Sequence, residues 1–292
     1  MNFDLKETLK VAVRSSLFIV KLIVPLYIVA DTLLYFGILN HVAFVFKPLT
    51  ELIHLPAESA VGIAAGMIFN LYAAIAFLAP LSLTPFQWTV VGLFLGIAHS
   101  FLVESAIMKK LGIPVIYSII LRTLTAIVAV KLLMLLPFNL SSRISSKKEV
   151  SVKVYKNVFD MLGHSVQHAV ILSGKIVLLI VVIIFALNFI KNLPPVKRYS
   201  EKVNTMFSIL TGLFLGITYG AGVLINEAES GSLTKRDILF IGTFLMICHS
   251  VIEDSFLFVI FGASWIPMVA IRVLLAVAIS PAVAKVGSKI LT

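Results

Sequence analysis

Two segments of the chain place the same polar side chains inside a long apolar run: a histidine, a serine and, four residues after that serine, a carboxylate followed by a second serine. The residues are His99, Ser100, Glu104 and Ser105 in the first segment and His249, Ser250, Asp254 and Ser255 in the second. Residues four apart on one helix share a face, so we expect each serine hydroxyl beside its carboxylate. Groups of these types can hold a polar solute, carry a proton or coordinate a cation.

An arginine follows each set, deep within the next apolar run. These are Arg122 and Arg272. An ionisable side chain at mid-membrane costs at least about 2.5 kcal/mol, so it needs a partner or a watery cavity. The turn between the two runs is short, and we therefore expect ion pairs between Glu104 and Arg122 and between Asp254 and Arg272. Such pairs either lock helices together, because buried charges must be neutralised, or form part of a substrate site.

The two sets are compatible with two kinds of site. In the first, they face each other across a central cavity and hold a polar or anionic solute, while a histidine or a carboxylate titrates in a proton-coupled cycle. The candidate ion-coupling residues are Asp31, Glu104 and Asp254. In the second, His99 and His249 join the carboxylates as ligands of a divalent transition metal. Convergence of the two histidines on one point would favour the second.

The elements that must position these groups are membrane-spanning helices. Apolar residues make up 60% of the 292-residue chain and the mean hydropathy is +1.06, whereas soluble domains are roughly 45–50% apolar. About 20 helical residues cross a hydrocarbon core of about 30 Å. Six runs are long enough: 16–39, 86–108, 113–138, 169–190, 238–261 and 264–286. We therefore expect an all-α, multi-pass integral membrane protein of the inner cell membrane.

Two further apolar runs are interrupted by small or polar residues, and they are either full spans or bent hairpins. Residues 57–81 contain Gly62, Gly66 and Asn70. Residues 203–225 contain Gly212, Gly216, Gly220 and Gly222. Broken helices of this kind can expose backbone groups to a ligand, which makes Asn70, Gly216 and Gly220 candidate substrate-binding positions. The alternative is close helix packing through small residues.

The chain is an internal duplication. The stretch 92–105 aligns with 242–255 at an offset of 150 residues, and the offset holds without a gap from Gly62 and Gly212 to Ala126 and Ala276. We divide the chain into a first membrane repeat (1–140), a polar basic linker (141–156) and a second membrane repeat (157–292). Paired halves are common in secondary transporters, with the substrate site at the repeat interface.

The relative orientation of the halves depends on the two interrupted runs. If each run is a re-entrant hairpin, each half has three crossings, an odd number, and the second half is inverted. If each run is a full span, the chain has eight crossings and the halves are parallel. Cytoplasmic loops are enriched in Lys and Arg. The excess of these residues on the cytoplasmic side is almost the same in both arrangements, so loop charge does not decide between them.

Several classes of function lack their signature. No GxxxxGK[ST] loop is present, which argues against an intrinsic ATPase, and neither HExxH nor GxSxG occurs. We therefore expect no enzymatic activity and no cofactor. The net charge of +10 fits basic cytoplasmic loops rather than nucleic-acid binding. The expected partners are the lipid bilayer and a small polar solute or ion; the oligomeric state, including a homo-oligomer, stays open.

The sequence resembles a known membrane family at 55–70 (LPAESAVGIAAGMIFN) and at 99–122 (HSFLVESAIMKKLGIPVIYSIILR). These runs are similar to the nucleoside-recognition (Gate) domain of bacterial spore maturation proteins, the membrane part of ferrous-iron transporters and concentrative nucleoside transporters. The pattern Ser, Glu-Thr, Gly, Arg of the spore maturation relatives matches Ser100, Glu104-Ser105, Gly112 and Arg122, and again Ser250, Asp254-Ser255, Gly262 and Arg272. The resemblance implies an inverted repeat with re-entrant hairpins and a role in transport or gating, without naming a substrate.

Three functions follow as expectations. The first is a secondary transporter, or permease, for a small polar or anionic solute, proton- or ion-coupled, with its site between the two repeats. The second is a divalent metal-ion permease. The third is a non-transporting membrane scaffold or assembly protein, which would join its halves through a solid, dry contact.

Overall fold

The computed structural model describes residues 5–38, 48–136, 155–191, 224–225, 228–229, 231 and 233–290, and no strand occurs among them. Six segments in this part of the chain are long and apolar enough to cross a membrane. They are Leu5–Tyr35, Pro85–Lys110, Val115–Leu135, Val158–Ile190, Lys235–Val259 and Trp265–Gly287. Each overlaps one of the six predicted runs, so within the described residues the prediction of an all-α protein with these six candidate spans is confirmed.

The helices are numbered here in chain order. They are α1 (Leu5–Tyr35), α2 (Ala60–Ile68), α3 (Leu71–Leu78), α4 (Pro85–Ile97), α5 (Phe101–Lys110), α6 (Val115–Leu135), α7 (Val158–Lys191), α8 (Lys235–Ile247), α9 (Val251–Val259) and α10 (Trp265–Ile290). The spans α4–α5 and α8–α9 are 72% buried, whereas the other four are at most 39% buried. These two spans therefore form the centre, and α1, α6, α7 and α10 present apolar faces outward.

The first interrupted run is a pair of short helices. The helices α2 and α3 have 9 and 8 residues, or about 14 and 12 Å at 1.5 Å per residue, and they pack against each other. The bend follows from Asn70, whose side chain caps α3 by accepting a hydrogen bond from the Ala73 N–H at 2.9 Å. This run is therefore not one straight span. The second run lies almost wholly outside the described residues, and with it Gly212, Gly216, Gly220 and Gly222.

Both central spans are broken at equivalent positions. The first breaks between α4 and α5, where Ser100 has a φ of 56°, and the second between α8 and α9, where Ser250 has a φ of 45°. A left-handed backbone conformation is unusual for serine. The expectation of one continuous helix through each histidine–serine pair is therefore wrong. The last carbonyls of a helix have no partner within it, so each break leaves polar backbone inside the membrane.

The two buried arginines satisfy these carbonyls. Arg122, on α6, donates from Nε to the Ile97 carbonyl at 2.7 Å and from Nη2 to the His99 carbonyl at 2.5 Å. Arg272, on α10, makes the equivalent bonds to the carbonyls of Ile247 and His249, at 3.3 and 2.6 Å. Neither arginine has any exposed surface. Because a bilayer supplies no water to free carbonyls, these contacts explain why the breaks are tolerated.

Reciprocal contacts join the two halves. A methyl group at Gly92 would lie 2.9 Å from the ring of Phe258, and one at its repeat equivalent, Gly242, would meet Ile113 and Met108. Met108 and Phe258 are themselves equivalent under the 150-residue offset. Contact of i with j and of j with i is the mark of a two-fold relation. The halves therefore pack through matching surfaces, with each glycine admitting a side chain of the other half.

Replacing Arg122 with methionine removes the donors to the Ile97 and His99 carbonyls. An orphaned buried polar group costs about 1–3 kcal/mol, so we expect the free energy of unfolding, measured by SDS titration in mixed micelles, to fall by roughly 2–6 kcal/mol. Arg122→Lys keeps the charge without the fork of donors and should lose an intermediate amount. Arg14→Met, on an exposed face of α1, is the control; equal losses in Arg122→Met and Arg14→Met would contradict the assignment.

Gly92→Ala tests the contact between the halves. The added methyl group overlaps the Phe258 ring, and overpacking costs about 1–3 kcal/mol. Gly163→Ala, on α7, is the matched control because a methyl group there meets nothing within 4 Å and should gain about 0.5–1 kcal/mol in helix stability. The same unfolding assay should show opposite signs for the two variants. A stabilised Gly92→Ala protein would show that the halves do not meet at this glycine.

Candidate functional site

A cavity of about 180 Å³ lies where the two broken spans and the α2–α3 pair meet. Both halves contribute to its wall. The predicted site residues that line it are Asn70, His99, Ser100, Glu104, His249, Ser250 and Asp254. This volume has room for several water molecules or one small solute. The sequence-based expectation that the two polar sets face one central cavity is met for these side chains.

The two histidines are held in the same way and face each other. Nδ1 of His99 contacts the Leu95 carbonyl at 2.6 Å, and Nδ1 of His249 contacts the Leu245 carbonyl at 2.7 Å. Because a carbonyl oxygen only accepts, each Nδ1 must carry a hydrogen. The ring centroids lie 5.1 Å apart, with both Nε2 atoms directed at Glu104. Equivalent residues of two related halves can meet only near the axis that relates them.

Glu104 connects both halves of the protein. Its Oε1 lies 3.0 Å from Nε2 of His99 and 3.3 Å from Nε2 of His249. Its Oε2 lies 2.8 Å from Nη2 of Arg122. Glu104 is 93% buried, and the three groups around its carboxylate are the Arg122 guanidinium and the Nε2 atoms of the two imidazoles. The predicted Glu104–Arg122 pair is therefore present and is extended by a histidine from the second half.

The second half does not repeat this arrangement. Asp254 contacts Nη2 of Arg272 at 3.3 Å, which gives the second predicted ion pair. Its side chain is one methylene shorter than that of Glu104, and among the described residues it makes no ion pair with a histidine. Each half therefore neutralises its carboxylate with an arginine, but only Glu104 reaches the pair of imidazoles. The site has one centre rather than two.

Two polar residues of the wall were missed by the sequence analysis. Glu253 lines the cavity next to Asp254, and its Oε1 accepts a hydrogen bond from the Tyr72 hydroxyl at 3.2 Å. The repeat could not reveal Glu253, because its equivalent in the first half is Val103. An acidic residue within an apolar run was itself a signal. Tyr72 carried no such signal, since tyrosine is common in apolar helices.

Four predicted substrate-binding residues lie behind the wall rather than in it. Arg122 and Arg272 point at carbonyls and carboxylates, and neither lines the cavity. Ser105 contacts the Ser118 hydroxyl at 3.2 Å. The Ser255 hydroxyl is buried and has no hydrogen bond within the described part of the chain. None of the four lines this cavity, and a direct contact with substrate stays a prediction for them. Gly216 and Gly220 lie outside the described residues.

Asp31 belongs to a separate cluster. It does not line the cavity; instead it accepts hydrogen bonds from the Ser165 hydroxyl at 2.5 Å and the Tyr155 hydroxyl at 3.0 Å. Burial, and then the Asp31 charge, raise the pKa of Tyr155 above its ordinary value. The contacts of Asp31 join α1 to the start of α7, away from the cavity, and its role in ion coupling stays a prediction.

Comparison with known proteins agrees with the membrane assignment. The chain is 25% identical over 283 residues to the uncharacterized membrane protein YvoD of Bacillus subtilis (strain 168), which covers 92% of this chain and 90% of that protein. No family model matches the chain, and no solved structure matches it significantly. With its six apolar helices and its similarity to YvoD along nearly the whole length, the chain is a multi-pass membrane protein.

Proposed function

We propose that this protein is a secondary transporter that moves a small polar solute through the cavity between its two halves. The observation that carries the proposal is a polar cavity at the meeting point of two broken spans. Ionisable groups inside a membrane are costly and usually serve a polar pathway. The cavity is lined by three carboxylates and two imidazoles, in a bilayer-spanning protein that could have filled the space with apolar side chains.

The lining favours a cationic or neutral solute over an anionic one. Glu104, Glu253 and Asp254 place three carboxylates in the wall. The arginines that would attract an anion are bound to carbonyls behind it. Because Arg122 and Arg272 neutralise Glu104 and Asp254, the net negative charge of the wall is that of Glu253, which repels anions and attracts cations. We therefore propose a cationic or neutral polar cargo and no longer propose an anionic one.

We further propose that the halves form an inverted repeat, as the resemblance to the Gate domain implies. Each half would contain three spans and one re-entrant hairpin, which is an odd number of crossings. Two features support a two-fold relation: the reciprocal packing at Gly92 and Gly242, and the face-to-face meeting of His99 with His249. Neither α2 nor α3 reaches the length of about 20 residues that crosses the bilayer, and the two helices pack against each other, which favours a hairpin over a single full span.

The scaffold alternative requires a solid, dry contact between the halves. The reciprocal glycine contacts are of that kind, but they surround a polar cavity rather than replace it. A scaffold has no use for a buried carboxylate that is shared between two histidines. Transport accounts for both the packing and the cavity. The proposed function includes no enzymatic activity.

The inverted arrangement predicts that Lys110 and Ser264, which lie at the equivalent turns before α6 and α10, face opposite sides of the membrane. Both are exposed. Each is replaced by cysteine in a Cys248→Ala background, and an impermeant maleimide is applied to intact cells and to inside-out vesicles. We expect Lys110→Cys and Ser264→Cys to be labelled in opposite preparations. Labelling of both in the same preparation would support the parallel, eight-span arrangement instead.

Glu104→Gln tests the transport site. The protein is reconstituted in liposomes, and charge movement and uptake are measured with a panel of divalent metals, amino acids and nucleosides. Loss of the shared carboxylate should lower the initial rate for the wild-type cargo by at least about tenfold, or about 1.4 kcal/mol. Glu58→Gln, which makes the same chemical change away from the cavity, should transport normally. Wild-type liposomes that move neither charge nor any member of the panel would overturn the proposed function.

A further inference from the structure

Three acceptor atoms converge at the centre of the cavity. They are Nε2 of His99, Nε2 of His249 and a carboxylate oxygen of Glu104, all within 4.8 Å of one another. Because each Nδ1 gives its hydrogen to a backbone carbonyl, the neutral rings present bare lone pairs at Nε2. A carboxylate also only accepts. Three lone pairs that face one another repel unless a cation lies among them.

We infer that the cluster of His99, Glu104 and His249 binds a divalent first-row transition-metal ion. The inference rests on the proposed function, because it names the class of solute that the cavity accepts. Imidazole together with carboxylate suits ions such as Zn²⁺, Mn²⁺, Fe²⁺ and Co²⁺, whereas alkali and alkaline-earth cations prefer sites made of oxygen alone.

The spacing of the ligand atoms fits such an ion. Ligands about 2.0–2.2 Å from a tetrahedral ion lie roughly 3.3–3.5 Å from each other. The distances from Glu104 Oε1 to the two Nε2 atoms are 3.0 and 3.3 Å, close to these values. The two Nε2 atoms lie within 4.8 Å of each other, so closing of the two rings on the ion completes the geometry. The adjoining cavity leaves a fourth position for water or for a departing ligand, which an ion in transit requires.

The surrounding groups already hold the ligands as a metal site would. Metal-bound histidines usually donate their other ring N–H to a carbonyl or carboxylate, and His99 and His249 do so to Leu95 and Leu245. The second oxygen of Glu104 is fixed by Arg122. Two backbone carbonyls and one arginine, none of them a ligand, therefore set the orientation of all three ligand side chains.

One ligand atom has no other partner. Nε2 of His249 is buried and makes no hydrogen bond within the described residues, because its 3.3 Å approach to Glu104 lacks hydrogen-bond geometry. A proton shared between His99 and Glu104 would leave this atom unsatisfied, at a cost of about 1–3 kcal/mol. A metal ion satisfies all three atoms together. The geometry thus points to a metal rather than to a proton alone.

Cobalt binding tests the inference directly. Full-length protein without a polyhistidine tag is placed in lipid nanodiscs and titrated with Co²⁺, whose visible absorption reports tetrahedral nitrogen and oxygen ligands, and Zn²⁺ is then added as a competitor. We expect one equivalent of Co²⁺ that Zn²⁺ displaces. His99→Gln and His249→Gln should each weaken binding at least about tenfold, whereas His168→Gln, on α7 outside the cavity, should not.

Stability measurements separate a loss of metal binding from a loss of folding. Unfolding of each variant is measured without metal, and Zn²⁺ should raise the unfolding temperature of the wild type and of His168→Gln but not of the two cavity variants. Failure of the wild type to bind Co²⁺ or Zn²⁺ overturns the inference. So does binding that survives in both His99→Gln and His249→Gln.

The two proposals fail separately. Zn²⁺ flux is followed with an indicator sealed inside liposomes, in parallel with the binding assay. Binding at the cluster without flux of Zn²⁺ or of any panel solute supports the metal site and contradicts the transporter. Flux of another solute with no metal binding supports the transporter and overturns the metal site.

Discussion

The carbonyl groups freed at the two helix breaks are the constraint on which this structure depends. In a bilayer a free carbonyl has no water to bind, so each break can exist only if side chains supply the missing donors. The histidine at each break donates back to a carbonyl of its own helix, and an arginine from the neighbouring span covers two more. In satisfying the backbone, these contacts also orient both imidazoles toward the cavity. The site is thus a consequence of how the breaks are stabilised.

Duplication gives the protein a nearly symmetric frame, and a few departures from symmetry give it one site. The breaks, the arginine contacts and the interlocking glycines are repeated in both halves. The carboxylate is not, because Glu104 spans the distance to both histidines and Asp254 is one methylene shorter. Glu253 likewise adds a charge where the first half has Val103. A symmetric frame with an asymmetric centre provides a single polar site on the axis between the halves.

Hydropathy and the repeat predicted the spans and both ion pairs, because these depend on residue type and spacing alone. The breaks were missed because neither proline nor glycine marks them: Ala-His-Ser and Cys-His-Ser lie in runs typical of a continuous helix. The role of the arginines was left open between locking helices and meeting substrate for the same reason, since without a break there were no free carbonyls to satisfy. The meeting of His99 with His249 requires the packing of two distant segments, which no local pattern encodes.

The protonation state of the two cavity histidines depends most directly on the carbonyl contacts at the helix breaks, and ¹⁵N NMR of histidine-labelled protein in nanodiscs reports it at alkaline pH. Signals that disappear in His99→Gln and His249→Gln identify the two rings. If both rings are held by carbonyls at the helix breaks, their Nδ1 atoms carry the hydrogen and their Nε2 atoms are bare. Rings with a bare Nδ1 and a hydrogen on Nε2 would contradict the account, because no carbonyl at the break would then hold them.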